Sequence, residues 1–257
     1  MRNALIAASL SLLAACTATP KKNEVATPAP AAPVQTPSTT APVQPPMTTP
    51  APTPATPAVA VTPLLPAEKM ALFVTDTSKK FGIPESEIRA TLAQAQYRQN
   101  IIDAITRPAE AKPWKSYRPI FITDARINGG RKFMAEHREE LQRVQNRTGV
   151  PAEIIVAIIG VETSYGGNMG SFKVLDALYT LGFFYPKREA FFSSELSHLF
   201  ELGRVENFDI TQLKGSYAGA MGYGQFMPSS YLNYAKDGDN DGRRNLFNNL
   251  DDVFSSV

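Results

Sequence analysis

A single carboxylate closes a run of apolar residues. From Ile154 to Val161, eight consecutive residues carry no polar side chain, and Glu162 follows. Taking a carboxyl out of water raises its pKa, keeps its proton on near neutral pH and makes it a general acid. Ile155, Ile158 and Ile159 precede Glu162 by seven, four and three residues and share its face of a helix. The competing reading of this spacing is a structural glutamate, capping a neighbour or paired with a buried arginine. Tyr165, Gly166 and Gly167 end the helix and open space at its tip, which favours a cleft there.

Two further stretches have chemistry to offer. Between Gly215 and Pro228, four glycines within ten residues permit close backbone approach and unusual dihedrals. Ser216 and Gln225 supply neutral hydrogen bonds there, and Tyr217, Tyr223 and Phe226 supply flat apolar faces. Aromatic faces with neutral polar groups suit a sugar ring better than a phosphate, although the same stretch also reads as a tight loop supporting the core. The other stretch, Asp237-Gly238-Asp239-Asn240-Asp241-Gly242-Arg243, has acidic residues at positions 1, 3 and 5 and glycine at 6. That is the opening of an EF-hand loop of hard oxygen ligands, but position 12, where a glutamate is required, is Asn248. A solvated Asp/Gly turn is the alternative.

Histidine chemistry is poorly supported. His137 lies on an apolar helical stripe and reads as a hydrogen-bonded core residue, while His198 has no second ligand at helical spacing. There is no H-E-x-x-H, and Ser216 is not in a G-x-S-x-G elbow, which argues against a zinc hydrolase or a serine esterase.

The elements that must hold these residues are helical. Gly82-Ile83-Pro84 and Gly149-Val150-Pro151 pair a helix-ending glycine with a helix-starting proline. Ile127, Gly130, Met134, His137, Leu141 and Val144 recur at spacings of three and four, which predicts one long helix over 123–147. Other helices are expected near 68–81, 84–98, 171–181, 187–203 and 228–236. The helix carrying Glu162 is apolar on every face and is expected to be central. No alternation is long enough for a major sheet, so the class is mostly α.

The N-terminal quarter is of another kind. Arg2, the apolar stretch Ala4–Leu13 and two alanines form a secretory signal too short to span a bilayer. Leu13-Ala14-Ala15-Cys16 resembles a bacterial lipobox, which makes Cys16 the lipidation site of a segment 1–16; a plain signal with a chance cysteine is the alternative. Thr17 and Ala18 follow without an aspartate, which by resemblance to lipoprotein sorting favours the outer membrane. Cys16 is the only cysteine, so there is no internal disulfide framework. Residues 17–66 hold 14 of the 21 prolines and no aromatic residue, the composition of a disordered tether. Extended at about 3.1 Å per residue, such a tether reaches on the order of 150 Å. The formal net charge of +2 offers no phosphate-neutralising surface, so nucleic acid is excluded as a partner.

Taken together, Gly160-Val161-Glu162-Thr163 and Ala218-Gly219-Ala220-Met221-Gly222-x-x-Gln225-Phe226-Met227-Pro228-Ser229-Ser230-Tyr231 resemble the membrane-bound lytic murein transglycosylase B family. Ala111-Lys112-Pro113-Trp114 leading to Tyr117-Arg118 agrees, as does Leu175-Asp176-Ala177-Leu178 leading to Phe184-Tyr185-Pro186-Lys187-Arg188. The resemblance covers residue 68 to the end. It implies a lysozyme-like catalytic domain over 67–257 and cleavage of the β-1,4 bond between N-acetylmuramic acid and N-acetylglucosamine in peptidoglycan without water. Glu162 would be the single catalytic residue, first acid and then base, giving 1,6-anhydromuramic ends. Tyr117, Ser216, Gln225 and Phe226 match positions lining the saccharide groove, and Lys187 and Arg188 match a basic pair that meets the peptide stem. Lysine at the first of these keeps the charge but loses arginine's bidentate fork.

The resemblance also implies a variant calcium loop over 237–251, with Asp237, Asp239, Asp241, the Arg243 carbonyl and a closing Asp251, structural rather than chemical in role. Relatives continue well beyond Val257, so the domain reads as C-terminally shortened. The expected protein is a monomeric enzyme, held by its lipid at the periplasmic face of the outer membrane and acting on glycan strands. A non-catalytic peptidoglycan-binding scaffold lipoprotein is the alternative, and a calcium-dependent interaction module a third reading.

Overall fold

The computed structural model describes residues 66–107 and 112–257. The signal, Cys16, nearly all of the tether and Ala111 lie outside the described residues. Within them the chain is helical: α1 (Pro66–Phe81), α2 (Glu85–Leu92), α3 (Gln99–Ile105), α4 (Trp114–Tyr117), α5 (Asp124–Glu136), α6 (Arg138–Thr148), α7 (Ala152–Thr163), α8 (Val174–Phe184), α9 (Glu189–Glu206), α10 (Pro228–Tyr234) and α11 (Leu250–Ser256). Strands β1 (Phe172–Lys173) and β2 (Lys214–Gly215) form a two-residue antiparallel ladder, with Phe172 opposite Gly215 and Lys173 opposite Lys214. No helix among the described residues is long and apolar enough to cross a membrane.

The central helix is α8 rather than α7. Nine of its eleven residues are buried, and α1, α3 and α9 pack around it. Gly182 lets α9 approach closely, since a Cβ there would stand 3.1 Å from the Ser193 nitrogen. Phe73 of α1 closes the layer, its ring 5.6 Å from Phe183 and 6.0 Å from Phe200. The polar groups carried inside are satisfied: Thr77 donates to Ser197 at 3.0 Å, and the Glu195 carboxylate accepts from both the N–H and the hydroxyl of Ser229 at the start of α10. A carboxylate at a helix N-terminus is stabilised by the exposed N–H groups and the helix dipole.

Three expectations change. First, α7 buries Ile155, Val156, Ile159, Gly160 and Thr163 but leaves Ile154, Ile158, Val161 and Glu162 exposed. Apolarity on every face does not fix how many neighbours a helix has, and α7 is walled mainly by α5 and α6. Second, the helix expected over 84–98 stops at Leu92. Asp176 of α8 accepts from the Gln96 N–H (2.9 Å) and Arg98 Nε (3.0 Å), and Thr180 accepts from the Arg98 N–H (3.0 Å). These distant side chains take backbone donors that a helix would have used. Third, the long helix over 123–147 breaks at His137, whose φ and ψ are −114° and 29°. Phe254 of α11 sits at the break, 5.9 Å from Phe133 and 6.0 Å from His137. His137 is thus a half-buried ring at a helix junction, stacked 4.6 Å from Phe133.

Candidate active site

Glu162 lies in the last turn of α7, one residue before its end. Ser164 and Tyr165 both follow with positive φ, at 54° and 63°. Two successive left-handed residues other than glycine are unfavourable, so tertiary contacts must impose them. Those contacts are visible. The Tyr165 ring turns back into a slot between α5 and α7 made by Gly129, Gly130 and Gly160, where an added Cβ would stand 2.5 to 3.1 Å from it. Its hydroxyl donates to the Arg126 carbonyl at 2.8 Å. The Arg126 guanidinium returns to α7, donating to the carbonyls of Gly160 (3.0 Å) and Val161 (3.3 Å).

The glycine-rich loop is fastened to the same tip. The Thr163 hydroxyl donates to the Tyr223 carbonyl (2.9 Å) and accepts from the Gly166 N–H (3.0 Å). Gly166 has no room for a Cβ because the Tyr223 ring occupies that space. Gln225, with φ of 50°, donates its amide to the carbonyls of Met169 (3.2 Å) and Gly222 (3.1 Å). The Ser216 hydroxyl accepts from the Ala220 N–H at 3.1 Å, and Phe226 pairs in a bridge with Met221. Ser216, Gln225 and Phe226 therefore sit on one loop system bound to the residues around Glu162.

Glu162 itself makes no hydrogen bond or ion pair among the described residues, and Arg126 spends its N–H groups on carbonyls rather than on this carboxylate. The structural-glutamate reading loses its partner. The residue is exposed at the helix edge, yet partial burial of its carboxyl raises its pKa above the ordinary carboxylate value. Desolvation is the only cause, and no second carboxylate contributes.

Tyr117 reaches the tip through a relay of rings. It lies 5.0 Å from Phe121 and 6.2 Å from Trp114, and Arg126 covers Phe121 at 5.4 Å. Lys187 and Arg188 are exposed in a 3-10 turn before α9, with Arg188 stacked over Phe191 (4.3 Å) and Phe192 (4.9 Å). No described contact joins them to the α7 tip. Arg126 has no counterpart among the residues singled out from the sequence, and Thr163 figures there only within the Gly160–Thr163 motif. An arginine in the first turn of an amphipathic helix reads as a surface charge, and only its fold partner reveals its role.

Residues 67–257 match the transglycosylase SLT domain. The chain belongs to that family. It is 41% identical over 193 residues to membrane-bound lytic murein transglycosylase B of Escherichia coli K12, covering 71% of this chain and 54% of the relative. The soluble lytic transglycosylase SltB1 of Pseudomonas aeruginosa superposes with a TM-score of 0.70 at 49% identity, over 74% of this chain and 64% of that one. The Escherichia coli lytic transglycosylase Slt35, solved in complex with calcium, gives 0.68 at 41%, over 74% and 60%. SltB3 of Pseudomonas aeruginosa, solved with NAG-NAM-pentapeptide, gives 0.64 at 27%, over 75% and 51%. This chain thus spans about half the length of the curated relative, and the three solved structures superpose on its mostly helical fold.

In the acidic loop of this SLT domain, two of the expected carboxylates, Asp241 and Asp251, lie outside the group that converges. Carboxylate oxygens of Asp237, Asp239 and Asp252 lie within 4.8 Å of one another. Asp251 turns away and pairs with Arg143 at 2.9 Å. Both aspartates open α11, whose N-cap Asn249 accepts from their N–H groups. Successive residues in a helix diverge by about 100°, so only one of the two can face the loop. Asp241 spends an oxygen on the Arg243 N–H (2.8 Å) and lies outside the three-carboxylate group. Asp252 is buried, accepts from the N–H groups of Gly238 (2.7 Å) and Asn245 (2.6 Å), and has a raised pKa. Burial is the main cause, with the charges of Asp239 and Asp237 adding to it. Converging hard oxygens of this kind suit a divalent cation such as calcium.

Proposed function

We propose that this chain is the catalytic part of a lytic transglycosylase that cleaves the β-1,4 bond between N-acetylmuramic acid and N-acetylglucosamine in peptidoglycan. The observation that carries the reading is a lone carboxyl with a raised pKa, set where α7 meets a loop of glycines, aromatic rings and neutral polar groups. Hydrolytic glycosidases ordinarily need two carboxylates flanking the scissile bond. Among the described residues no second carboxylate pairs with Glu162 or shifts its pKa, and the reaction proposed needs none. Glu162 gives its proton to the glycosidic oxygen as the C1–O bond breaks. Its carboxylate then takes the proton of the muramic C6 hydroxyl, whose oxygen closes onto C1. The product carries a 1,6-anhydro ring and no water is consumed.

Tyr117, Ser216, Gln225 and Phe226 are the saccharide-contacting residues of this reading, and Lys187 and Arg188 its stem-contacting pair. Asp237, Asp239 and Asp252 would hold calcium as a brace between the loop and α11, supported by the calcium complex of Slt35. Lipidation at Cys16 and a place at the periplasmic face of the outer membrane extend the reading, in keeping with a relative described as membrane-bound.

Digestion of purified sacculi followed by mass spectrometry tests the reading. The wild-type chain releases anhydromuropeptides and the Glu162→Gln chain does not. Release by Glu162→Gln would exclude Glu162 as the acid. Glycan binding with no release by the wild type would favour the scaffold.

A further inference from the structure

The α2–α3 connection and strand β1 enclose an open cavity of about 620 Å³ whose walls include Arg98, Asn100, Ser171, Lys173 and Asp176. Its one carboxylate is already committed. Asp176 is buried and accepts from the Gln96 N–H and from Arg98 Nε. The groups left facing the space are mostly donors. Lys173, Asn100 and Ser171 are exposed, and their side chains make no hydrogen bond or ion pair among the described residues. Arg98 keeps its outer guanidinium N–H groups, with the side chain 46% exposed.

The ladder beside the cavity adds a second, independent sign. Lys173 stands directly opposite Lys214, and both are exposed without an acidic partner among the described residues. Side chains directly opposite in an antiparallel pair lie about 5 Å apart on one face, and like charges there are destabilising. No acidic partner among the described residues offsets that repulsion. An anion placed between the two ammonium groups removes it.

We infer that this cavity, with Lys173 and Lys214, is a carboxylate-binding subsite for the peptide stem of the glycan strand; the inference rests on the peptidoglycan reading above. Neutral sugars gain little from paired ammonium groups, whereas stem peptides carry carboxylates, and a relative has been solved with a pentapeptide-bearing disaccharide. The location suits the task. Segment 169–173 runs from the Met169 carbonyl that holds Gln225 to the cavity wall, and Lys214 lies two residues before Ser216. Gly170 packs directly on the Gly215–Ser216 backbone, so the two stretches are in contact. Arg188, by contrast, already has its guanidinium over two phenylalanine rings.

The test titrates the Glu162→Gln chain with NAG-NAM-pentapeptide and with the same disaccharide whose lactyl carboxyl is capped as a neutral amide in place of the peptide. Adding Lys173→Gln and Lys214→Gln lowers the ratio of the two affinities about fivefold at low salt, and Lys173→Arg with Lys214→Arg restores it. An unchanged ratio, or no measurable binding of the pentapeptide probe by the parent, overturns the subsite. Sacculus digestion separates this from the activity: a wild-type chain that releases no anhydromuropeptide but shows the peptide-dependent ratio keeps the subsite and loses the transglycosylase reading.

Discussion

The Arg126 guanidinium donates to the Val161 carbonyl at 3.3 Å, and to the Gly160 carbonyl at 3.0 Å, directly before Glu162. A cation thereby closes the negative end of the helix that carries the acid. Arg126→Met keeps much of the side chain's bulk and loses both bonds. The expected cost is about 1–2 kcal/mol of stability and roughly a tenfold fall in anhydromuropeptide release, because the acid loses its fixed aim. Arg126→Lys recovers the charge but not the reach and planarity of the guanidinium, and falls between the two. Thermal unfolding together with initial rates checks this.

Glu162 carries a cost to stability that its replacement should reveal. Its folded pKa lies above the unfolded value, so the folded state binds its proton more tightly. That contribution is complete below the unfolded pKa and is lost as pH rises through the folded one. Activity should follow the same limb, falling as the carboxyl ionises at a pH above the ordinary glutamate range. The Glu162→Gln chain, which cannot ionise there, should melt at higher temperature than wild type at pH 7 and at the same temperature below pH 4. A pH series of melting curves with parallel rate measurements decides it.

The slot for Tyr165 yields a pair of contrasting substitutions. A Cβ on Gly130 meets chiefly the Tyr165 hydroxyl at 2.5 Å, whereas one on Gly160 meets ring carbons as well as the hydroxyl at 2.7–2.8 Å. Each alanine should destabilise by about 1–3 kcal/mol through overpacking. Tyr165→Phe should recover part of the loss in Gly130→Ala and little in Gly160→Ala. Chemical denaturation of the three single and two double variants measures the coupling.

For the acidic loop, calcium at about one hundred times its dissociation constant should add roughly 2.7 kcal/mol to stability. Asp237→Asn and Asp252→Asn should abolish that gain, while Asp251→Asn should keep it and lose only the contact with Arg143. Melting curves with and without calcium check the assignment. A gain abolished by Asp251→Asn but not by Asp252→Asn would return the closing ligand to Asp251.

Local punctuation was readable from the sequence because its physics is local. Gly82 and Gly149 adopt the positive φ of a helix end, at 70° and 77°, and Pro84 and Pro151 sit at the N-caps that follow. Glu162 stood out for the same kind of reason, a charge in an apolar string. What escaped depends on partners far along the chain. Nothing near Gln96 and Arg98 announces that Asp176 and Thr180, about eighty residues on, will take their N–H groups. The choice between Asp251 and Asp252 turned on one step of helix phase, set by the cap at Asn249. Apolar composition identified α7 as a helix but not which of its sides would be covered.

The bond from the Thr163 hydroxyl to the Tyr223 carbonyl ties the residue after the acid to the loop two residues before Gln225. Aim and grip therefore share one reference point. If the loop settles around a bound sugar, the acid is carried with it, and their separation does not drift as the rest of the domain breathes. Thr163→Val, nearly identical in shape, removes that hydroxyl and leaves the Gln225 bond to Met169 and the Tyr223 ring against Gly166 to hold the loop to the tip.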